Sequence, residues 1–166
     1  RAFDDLSSAN FIEALVALHD EKPDIALAAP AVLQRFGPRK PERNLPYVDA
    51  SDSTRMAVLL SRIRQMQAGW FYGLWRLDAA ERATEDVYRH FPDDWAADYL
   101  ALFHAVLHGG IVGTNACTFH QQVLAEVRGY MPRSKPSFDQ MTDRNGRFAE
   151  TCRVMIAEAN LTKIEA

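Results

Sequence analysis

Three carboxylates stand close together in the middle of the chain, at the predicted start of an apolar helix. Asp93, Asp94 and Asp98 lie between two segments of strand-like composition. In α/β enzymes the segments that follow strands often carry the chemistry. Asp94 and Asp98 have the i, i+4 spacing that places side chains on one face of a helix. Two neighbouring carboxylates raise one pKa toward the range that is useful for a general base.

The same carboxylates also have a purely structural interpretation. Aspartate is favoured at helix N-caps, and Asp93 or Asp94 is expected to cap this helix. Asp98 is harder to explain as a cap, because it falls inside a helix whose apolar residues cover most of its circumference. We therefore treat Asp98 as the candidate base and Asp94 as the alternative.

Other catalytic patterns are weak or absent in the sequence. His104 and His108 have the i, i+4 spacing of two zinc ligands on a helix, but no glutamate follows His104 and no third ligand is evident. Surface or partly buried histidines are therefore the favoured interpretation. No serine lies in a Gly-x-Ser-x-Gly elbow, and no glycine-rich phosphate loop is present.

Composition describes a globular chain of one-domain size. The chain has 166 residues, of which 48% are hydrophobic and 25% charged. This balance excludes a disordered class. A net charge of −3 with scattered arginines gives no case for a nucleic-acid partner. Cys117 and Cys152 are too few for a disulfide framework and lack metal-ligand spacing, so a reducing compartment is expected. No apolar stretch approaches the ~20 residues of a membrane-spanning helix.

Hydrophobic periodicity predicts four main helices, and alanine-rich composition predicts one short helix. The long helices are predicted at residues 9–20, 52–68, 94–108 and 137–160, and the short one ends near residue 90. Gly69 is expected to stop the second, and Gly109-Gly110 the third. Gly146 is a point at which the last helix could kink or split.

Strand-like composition occurs in three segments: residues 25–29, 70–74 and 111–119, the last interrupted by Gly113. Residues 37–50 form a polar, proline-punctuated loop whose length makes it a candidate functional loop. The predicted fold class is α+β of α/β derivation, rich in helices and with a few short strands.

Several sequence pieces occur in an order that resembles a known enzyme family. Asp4-Asp5-Leu6 comes before the first helix, and the run Tyr72-Gly73-Leu74-Trp75-Arg76 follows the second. Next come the acidic helix start at Asp98 and the glycine-ended helix at Gly109-Gly110, and Phe119-His120-Gln121-Gln122 ends the last strand. Together, over residues 4–122, these pieces resemble the second half of a family 2 glycosyltransferase of the GT-A fold.

This resemblance implies a partial GT-A-like domain. Residues 1–130 would be its acceptor and metal half, and residues 131–166 a C-terminal helical extension of the same single domain or fragment. The nucleotide-binding first half of such an enzyme is expected to lie outside these residues. Phe3 departs from the family pattern, since it stands where an acidic residue of the metal-binding motif is expected, and so does the His-Gln-Gln ending.

The implied activity is inverting transfer of a sugar from a nucleotide-sugar donor to a hydroxyl of a sugar or lipid-linked acceptor. Asp98, or Asp94, would be the base. A divalent cation, Mn²⁺ or Mg²⁺, would be held by Asp5, with Asp4 as its neighbour and substitute and His120 as a further contact. Oxygen ligands suit such hard cations.

The resemblance also implies a wall for the donor sugar. Its members are the aromatic-glycine-arginine set Trp70, Tyr72, Gly73, Trp75 and Arg76, because aromatic faces suit the C–H surfaces of sugars. Aromatic residues at strand positions also occur commonly in the core, so that alternative stays open. The expected location is the cytoplasm or the membrane periphery, and a homo-oligomer is one alternative for its assembly.

A second hypothesis from a different class is a mostly helical protein-interaction module without chemistry. In that case the four main helices form a bundle, and the carboxylates are caps. The two hypotheses differ in whether residues 25–29, 70–75 and 111–119 are strands of one sheet.

Overall fold

The computed structural model describes residues 5–36, 41–49, 54–93, 95–123 and 136–159 of the protein. These residues form five α-helices, one 3₁₀ helix and a five-stranded mixed sheet. The α-helices are α1 (Phe11–Glu21), α2 (Arg55–Gln65), α3 (Leu77–His90), α4 (Ala97–His108) and α5 (Phe138–Glu158). The strands are β1 (Leu6–Ser7), β2 (Leu27–Arg35), β3 (Arg43–Leu45), β4 (Leu74–Trp75) and β5 (Ile111–Gln122), and the 3₁₀ helix is Ala68–Tyr72.

Two parallel strands, β2 and β5, form the centre of the sheet. β1 pairs antiparallel with the carboxyl end of β5. On its other side, β2 pairs antiparallel with β4 near its amino end and with β3 near its carboxyl end. The predicted strand segments thus contribute to one sheet, so the mixed α and β class is confirmed and a fold made of helices alone is not observed.

The pairing of β2 with β5 changes register in the middle of both strands. Pro30 is paired with Thr114 and Ala31 with Thr118, so residues 115–117 of β5 have no partner on β2. Proline lacks the N–H that a ladder needs, and within sheets it occurs at edges and bulges. Pro30 is itself buried, and it is consistent with a break in pairing at this point of β2.

α4 packs between the sheet and the outer helices. Its residues Leu102, Ala105 and Val106 join the core cluster that includes the sheet and α1. Leu100 and Phe103 instead join a second cluster with α3 and α5. The prediction that both sides of this helix are buried is therefore confirmed, although His108 at its end is exposed.

The prediction of a strand over residues 70–74 is wrong for most of that segment. Residues 68–72 form the 3₁₀ helix, and only Leu74–Trp75 is extended. The reason is close packing on β2: a Cβ at Gly69 would come within 2.7 Å of a Val32 methyl, and one at Gly73 would collide with the Ala28 carbonyl. Two glycines thus allow the chain to fold tightly against the sheet, and aromatic composition alone does not reveal this.

Several predicted helix boundaries also differ from the structure. The N-cap of α4 is Ala96, so the prediction that Asp93 or Asp94 caps this helix is wrong, and α2 ends at Gln65, before Gly69. α5 continues unbroken through Gly146, and its predicted start is confirmed by a capping box between Ser137 and Gln140. Gly113 does not interrupt β5.

Both cysteines are free thiols: Cys117 is buried and Cys152 half-buried, and burial raises the pKa of each. A raised pKa keeps a thiol protonated and unreactive. Among the described helices, none combines the length and apolarity needed to cross a bilayer.

Candidate functional site

A cavity of about 410 Å³ lies beside the carboxyl end of β2, and we call it the carboxyl-edge cleft. Ligands of open α/β sheets bind outside the carboxyl ends of parallel strands, and β2 and β5 both end at this edge. The polar side chains that line the cleft are Gln34, Arg43, Arg64, Gln65, Gln67 and Tyr99. They come from β2, β3, the end of α2 and the start of α4, so the tertiary fold assembles the cleft from four separate parts of the chain.

One wall of the cleft is held in place from two directions. The side-chain amide of Asn115, in the unpaired part of β5, accepts from the Tyr47 N–H at 2.8 Å and donates to the Tyr47 carbonyl at 2.9 Å. From the other side, the buried Arg62 donates to the Val48 carbonyl and to Asp49, both at 2.8 Å, and lies over the Tyr47 ring. This wall belongs to the loop that the sequence marks as a candidate functional loop, and it is rigidly positioned.

Asp98 lies next to Tyr99, which lines the cleft, in the first turn of α4. Its Oδ1 accepts the Tyr99 N–H at 3.0 Å. Burial raises the pKa of the Asp98 carboxyl, and hydrogen bonds from the backbone N–H groups of Tyr99 and of Asp98 itself oppose this rise. Asp98 itself is not among the residues that line the cleft, but a half-buried carboxylate with a raised pKa one residue away from the lining is a candidate general base.

The backbone two residues before Asp98 has an unusual conformation. Ala96, the N-cap of α4, has φ 58° and ψ 20°. These angles lie in the left-handed region that residues other than glycine adopt rarely. Such conformations cost of order 1–3 kcal/mol and occur often at functional sites. Here the conformation sets the direction in which α4 begins, and therefore the position of Asp98.

Asp5 also lies at the carboxyl edge, but it faces the end of β5. It is 7% exposed, and its Oδ1 accepts the Gln122 N–H at 3.0 Å. His120, half-buried, stands between Leu6 and Leu33 in the sheet. Both residues therefore lie toward the carboxyl end of β5, whereas Asp4 lies outside the described residues.

Among the described residues, the surroundings of Asp5 offer a divalent cation few protein ligands. Within the described ranges, no three His, Cys, Asp or Glu side chains are grouped so that they could hold a metal ion. Mg²⁺ often uses only one or two carboxylates together with waters and substrate phosphates. Asp5 fits that limited role, although its Oδ1 already accepts a backbone hydrogen bond.

The other acidic candidates are placed differently. Asp94 lies outside the described residues. Asp93 accepts the Trp95 N–H at 2.9 Å, and its other oxygen lies 3.2 Å from Nε of Arg144. Asp93 therefore joins the turn before α4 to α5, which is a structural role.

Three of the predicted sugar-wall residues are packed against the interior. Trp70 has no exposed surface and packs against Tyr47, with ring centroids 5.7 Å apart. Tyr72 stacks on Phe119 at 4.8 Å, and Gly73 lies against the backbone of β2. A fully buried ring such as that of Trp70 cannot contact a substrate in this conformation.

Trp75 and Arg76 lie at the opposite end of the sheet. Trp75 pairs with Leu27, the first residue of the nine-residue strand β2. At a rise of about 3.3 Å per residue, the carboxyl end of β2 is roughly 26 Å away from that pair. Arg76 lines a separate cavity of about 260 Å³ together with Asp78, Arg82, His104 and His108. The structure thus does not bring these two residues together with Asp5 or with the carboxyl-edge cleft.

The two histidines with zinc-like spacing, His104 and His108, line this same cavity of about 260 Å³ near the amino end of β2. His104 is buried, its Nε2 lies 3.0 Å from Asp86, and its ring centroid is 4.4 Å from that of His108. Burial and the nearby His108 lower the pKa of His104, with Asp86 acting in the opposite direction. The pair with Asp86 explains why a histidine is accommodated inside α4.

Sequence reasoning does not identify the polar residues of the cleft itself. From the sequence, Arg43 belongs only to a polar loop and Arg64 to the outer face of a helix. Gln65 and Gln67 belong to no recognised motif. Their closeness in sequence to Gly69 and Trp70 is the one feature that could have suggested a polar site there. Pairing of β3 with β2 brings Arg43 beside Gln34, and no local pattern predicts that pairing.

Comparison with protein-family models, curated proteins and solved structures found no match for this chain. Its function is therefore inferred from the geometry and chemistry of the carboxyl edge.

Proposed function

We propose that the protein is part of a nucleotide-sugar-dependent, inverting glycosyltransferase with a GT-A-like arrangement. The observation that carries this proposal is Asp98: a half-buried carboxylate with a raised pKa, in the first turn of α4, whose neighbour Tyr99 lines a polar cleft at the carboxyl end of β2. The order of sequence pieces from Asp4 to Gln122 supports the same assignment.

In the proposed reaction Asp98 accepts the proton of an acceptor hydroxyl. The hydroxyl oxygen forms a bond to the anomeric carbon of the donor sugar while the bond from that carbon to the diphosphate breaks. The electron pair of the broken bond leaves with the nucleoside diphosphate. A raised pKa makes Asp98 a stronger base than an exposed aspartate, and its hydrogen bond from the Tyr99 N–H fixes the carboxylate direction.

Asp5 would hold the divalent cation together with the donor phosphates. Mn²⁺ or Mg²⁺ bound there would supply positive charge that stabilises the departing diphosphate. Burial of Asp5 and its bond to the Gln122 N–H keep this carboxylate at the end of β5. A chain of contacts leads from there to the cleft, since Gln121 accepts from Gln34 at 3.0 Å and Gln34 lines the cleft.

Substitution of the candidate base tests the proposal. In the full-length protein, Asp98→Asn should lower the rate of nucleoside diphosphate release in the presence of acceptor by about 10²–10⁴-fold. The matched control is Asp139→Asn, because Asp139 occupies the same second position of helix α5 but is exposed. The control should keep the wild-type rate. Unchanged turnover in Asp98→Asn would remove Asp98 as the base.

A further inference from the structure

We propose that the carboxyl-edge cleft binds an acidic saccharide. Arg43 and Arg64 would bind its carboxylate or phosphate group, and Gln65 and Gln67 would bind its ring hydroxyls. Its role as the acceptor site rests on the proposed transferase function. The ligand chemistry rests on the cleft alone.

The charge of the cleft lining is the first reason. Arg43 and Arg64 both line the cavity, and no acidic residue is among the described residues that line it. Over the described ranges, neither guanidinium forms an ion pair with a carboxylate, whereas Arg35, Arg62, Arg76 and Arg82 all do. Two such guanidinium groups on one cavity favour an anionic ligand, because arginine binds carboxylate and phosphate in a bidentate way.

An unsatisfied buried amide is the second and independent reason. Gln67 is only 9% exposed, and its Oε1 has no hydrogen-bond partner among the described residues. The Oε1 of Gln65 also has no hydrogen-bond partner among the described residues, whereas its Nε2 donates to the Ser61 hydroxyl. Leaving a buried polar group unpaired costs about 1–3 kcal/mol, so a ligand that supplies a partner is favoured.

Sugar hydroxyls suit these amides better than a bare anion does. A hydroxyl both donates and accepts, so it can satisfy a glutamine amide in either orientation. Diphosphate oxygens only accept, and they would leave the Oε1 atoms without a donor. The cleft also has an apolar part, formed by Leu45, Pro46, Val48 and Met66, which suits the C–H faces of a sugar ring.

The position of the cleft fits an acceptor rather than the donor. Tyr99 lines it, and Asp98, the proposed base, is the preceding residue. Asp5, the residue proposed to lie on the diphosphate side, does not line the cleft and faces the end of β5 instead. At about 410 Å³ the cavity is within the range of small-ligand pockets.

Binding is best measured directly, by calorimetry and by ¹H–¹⁵N NMR of the glutamine side-chain amides. The first pair of probes is cellobiouronic acid and cellobiose, which differ in a carboxylate on one sugar. The second pair is glucose 6-phosphate and glucose. We expect at least one acidic sugar to bind about tenfold more tightly than its neutral counterpart and to shift the amide signals of Gln65 and Gln67. The two pairs distinguish a carboxylate from a phosphate.

Arginine variants identify the site. Arg64→Gln and Arg43→Gln should each remove most of the preference for the acidic sugar. Arg55→Gln, on the exposed start of the same helix α2 and outside the cleft, should retain it. Equal affinity for acidic and neutral sugars, or unchanged binding in both cleft variants, would overturn the proposal. So would displacement of the sugar by uridine diphosphate or inorganic phosphate alone at equal concentration.

The two proposals can fail separately. If turnover depends on Asp98 but acidic and neutral acceptors react equally well, the acidic-sugar inference is wrong and the transferase proposal stands. If the acidic sugar binds through Arg43 and Arg64 but the full-length protein releases no nucleoside diphosphate, the cleft assignment stands and the transferase proposal fails.

Discussion

At the scale of single residues, the two carboxylates of the carboxyl edge, Asp5 and Asp98, are held in different ways. Asp5 is almost completely buried, and its Oδ1 is occupied by the Gln122 N–H. Asp98 is half-buried, and loss of hydration raises its pKa. The ionised form of Asp98 therefore has a free-energy cost in the folded protein, which is common at sites where function and stability compete.

Replacing Asp98 should therefore change stability as well as activity. Because the folded-state pKa lies above the ordinary value, Asp98 destabilises the fold at neutral pH, where it is ionised. We expect Asp98→Asn to have a higher Tm than wild type at pH 7.5. As the pH falls through the raised pKa toward 3.8, wild-type Asp98 becomes neutral and the difference should disappear.

The measurement is thermal unfolding by circular dichroism at several pH values between 3.5 and 8. Asp139→Asn is again the control, and it should show no gain in Tm, since Asp139 is exposed and favourably placed at a helix N-terminus. A lower Tm for Asp98→Asn at neutral pH would contradict the assigned cause of the raised pKa.

At the scale of elements, the wall of the cleft depends on a place in β5 where a side chain is not tolerated. The Tyr47 ring lies directly over Gly113, and Asn115, two residues later, binds the Tyr47 backbone. Glycine is thus required here by close approach of an aromatic ring. Gly146, in the middle of α5, has no heavy atom within 4 Å of a hypothetical Cβ.

These two glycines allow a matched prediction. Gly113→Ala should lower the free energy of unfolding by about 1–3 kcal/mol, because the new methyl group would displace the Tyr47 ring. Gly146→Ala should raise it by about 0.5–1 kcal/mol, because alanine is the better helix former. Urea unfolding of both variants measures the difference. Equal effects of the same sign would contradict the packing described for Tyr47.

At the scale of the whole molecule, α4 joins the two core clusters. Leu102 packs in the cluster of the sheet, and Leu100 in the cluster of α3 and α5, although the two residues are on the same helix. Both side chains have no exposed surface. A rigid helix shared by two cores should make them unfold together.

Truncation in either cluster should accordingly destabilise the whole described fold. We expect Leu100→Ala and Leu102→Ala each to lower the free energy of unfolding by about 2–5 kcal/mol. Tryptophan fluorescence and circular dichroism should report one coincident transition in both variants. Leu77, which is 75% exposed, provides the control. Leu77→Ala should change stability by less than about 0.5 kcal/mol. Separate transitions for the two probes would mean that the clusters fold independently.

Much of the fold could be predicted from the sequence because local physics determines it. The periodicity of apolar residues locates α1, α2, α4 and α5, and the Ser137–Gln140 capping box marks the start of α5. Composition locates α3, although the helix has 14 residues and is not the short one expected. The continuous apolar run at residues 25–29 marks only the start of β2, which extends to Arg35, and strand-like composition marks β5. The prediction for residues 70–74 is wrong because their 3₁₀ conformation results from the contact of Gly69 and Gly73 with a distant strand.

The candidate site could be predicted only in part, because most of it depends on contacts between segments that are distant in the sequence. Asp98 could be singled out as a candidate from the chain alone, because the predicted helix began at residue 94 and left Asp98 inside it. In the structure α4 begins at Ala97, so Asp98 lies in the first turn, where aspartate is commonly favoured, and that part of the sequence argument is wrong. The cleft could not. Pairing of β3 with β2 brings Arg43 to it, whereas Arg64 and Gln67 reach it because α2 and the segment after it pack against the core of the sheet. Trp75 shows that closeness in sequence does not place residues at one site: it is near Gly69 in the chain, yet it pairs with Leu27 at the amino end of β2, away from the cleft. Residue spacing determines which side chains share a helix face or a strand, whereas long-range strand pairing determines which of those faces meet around one ligand.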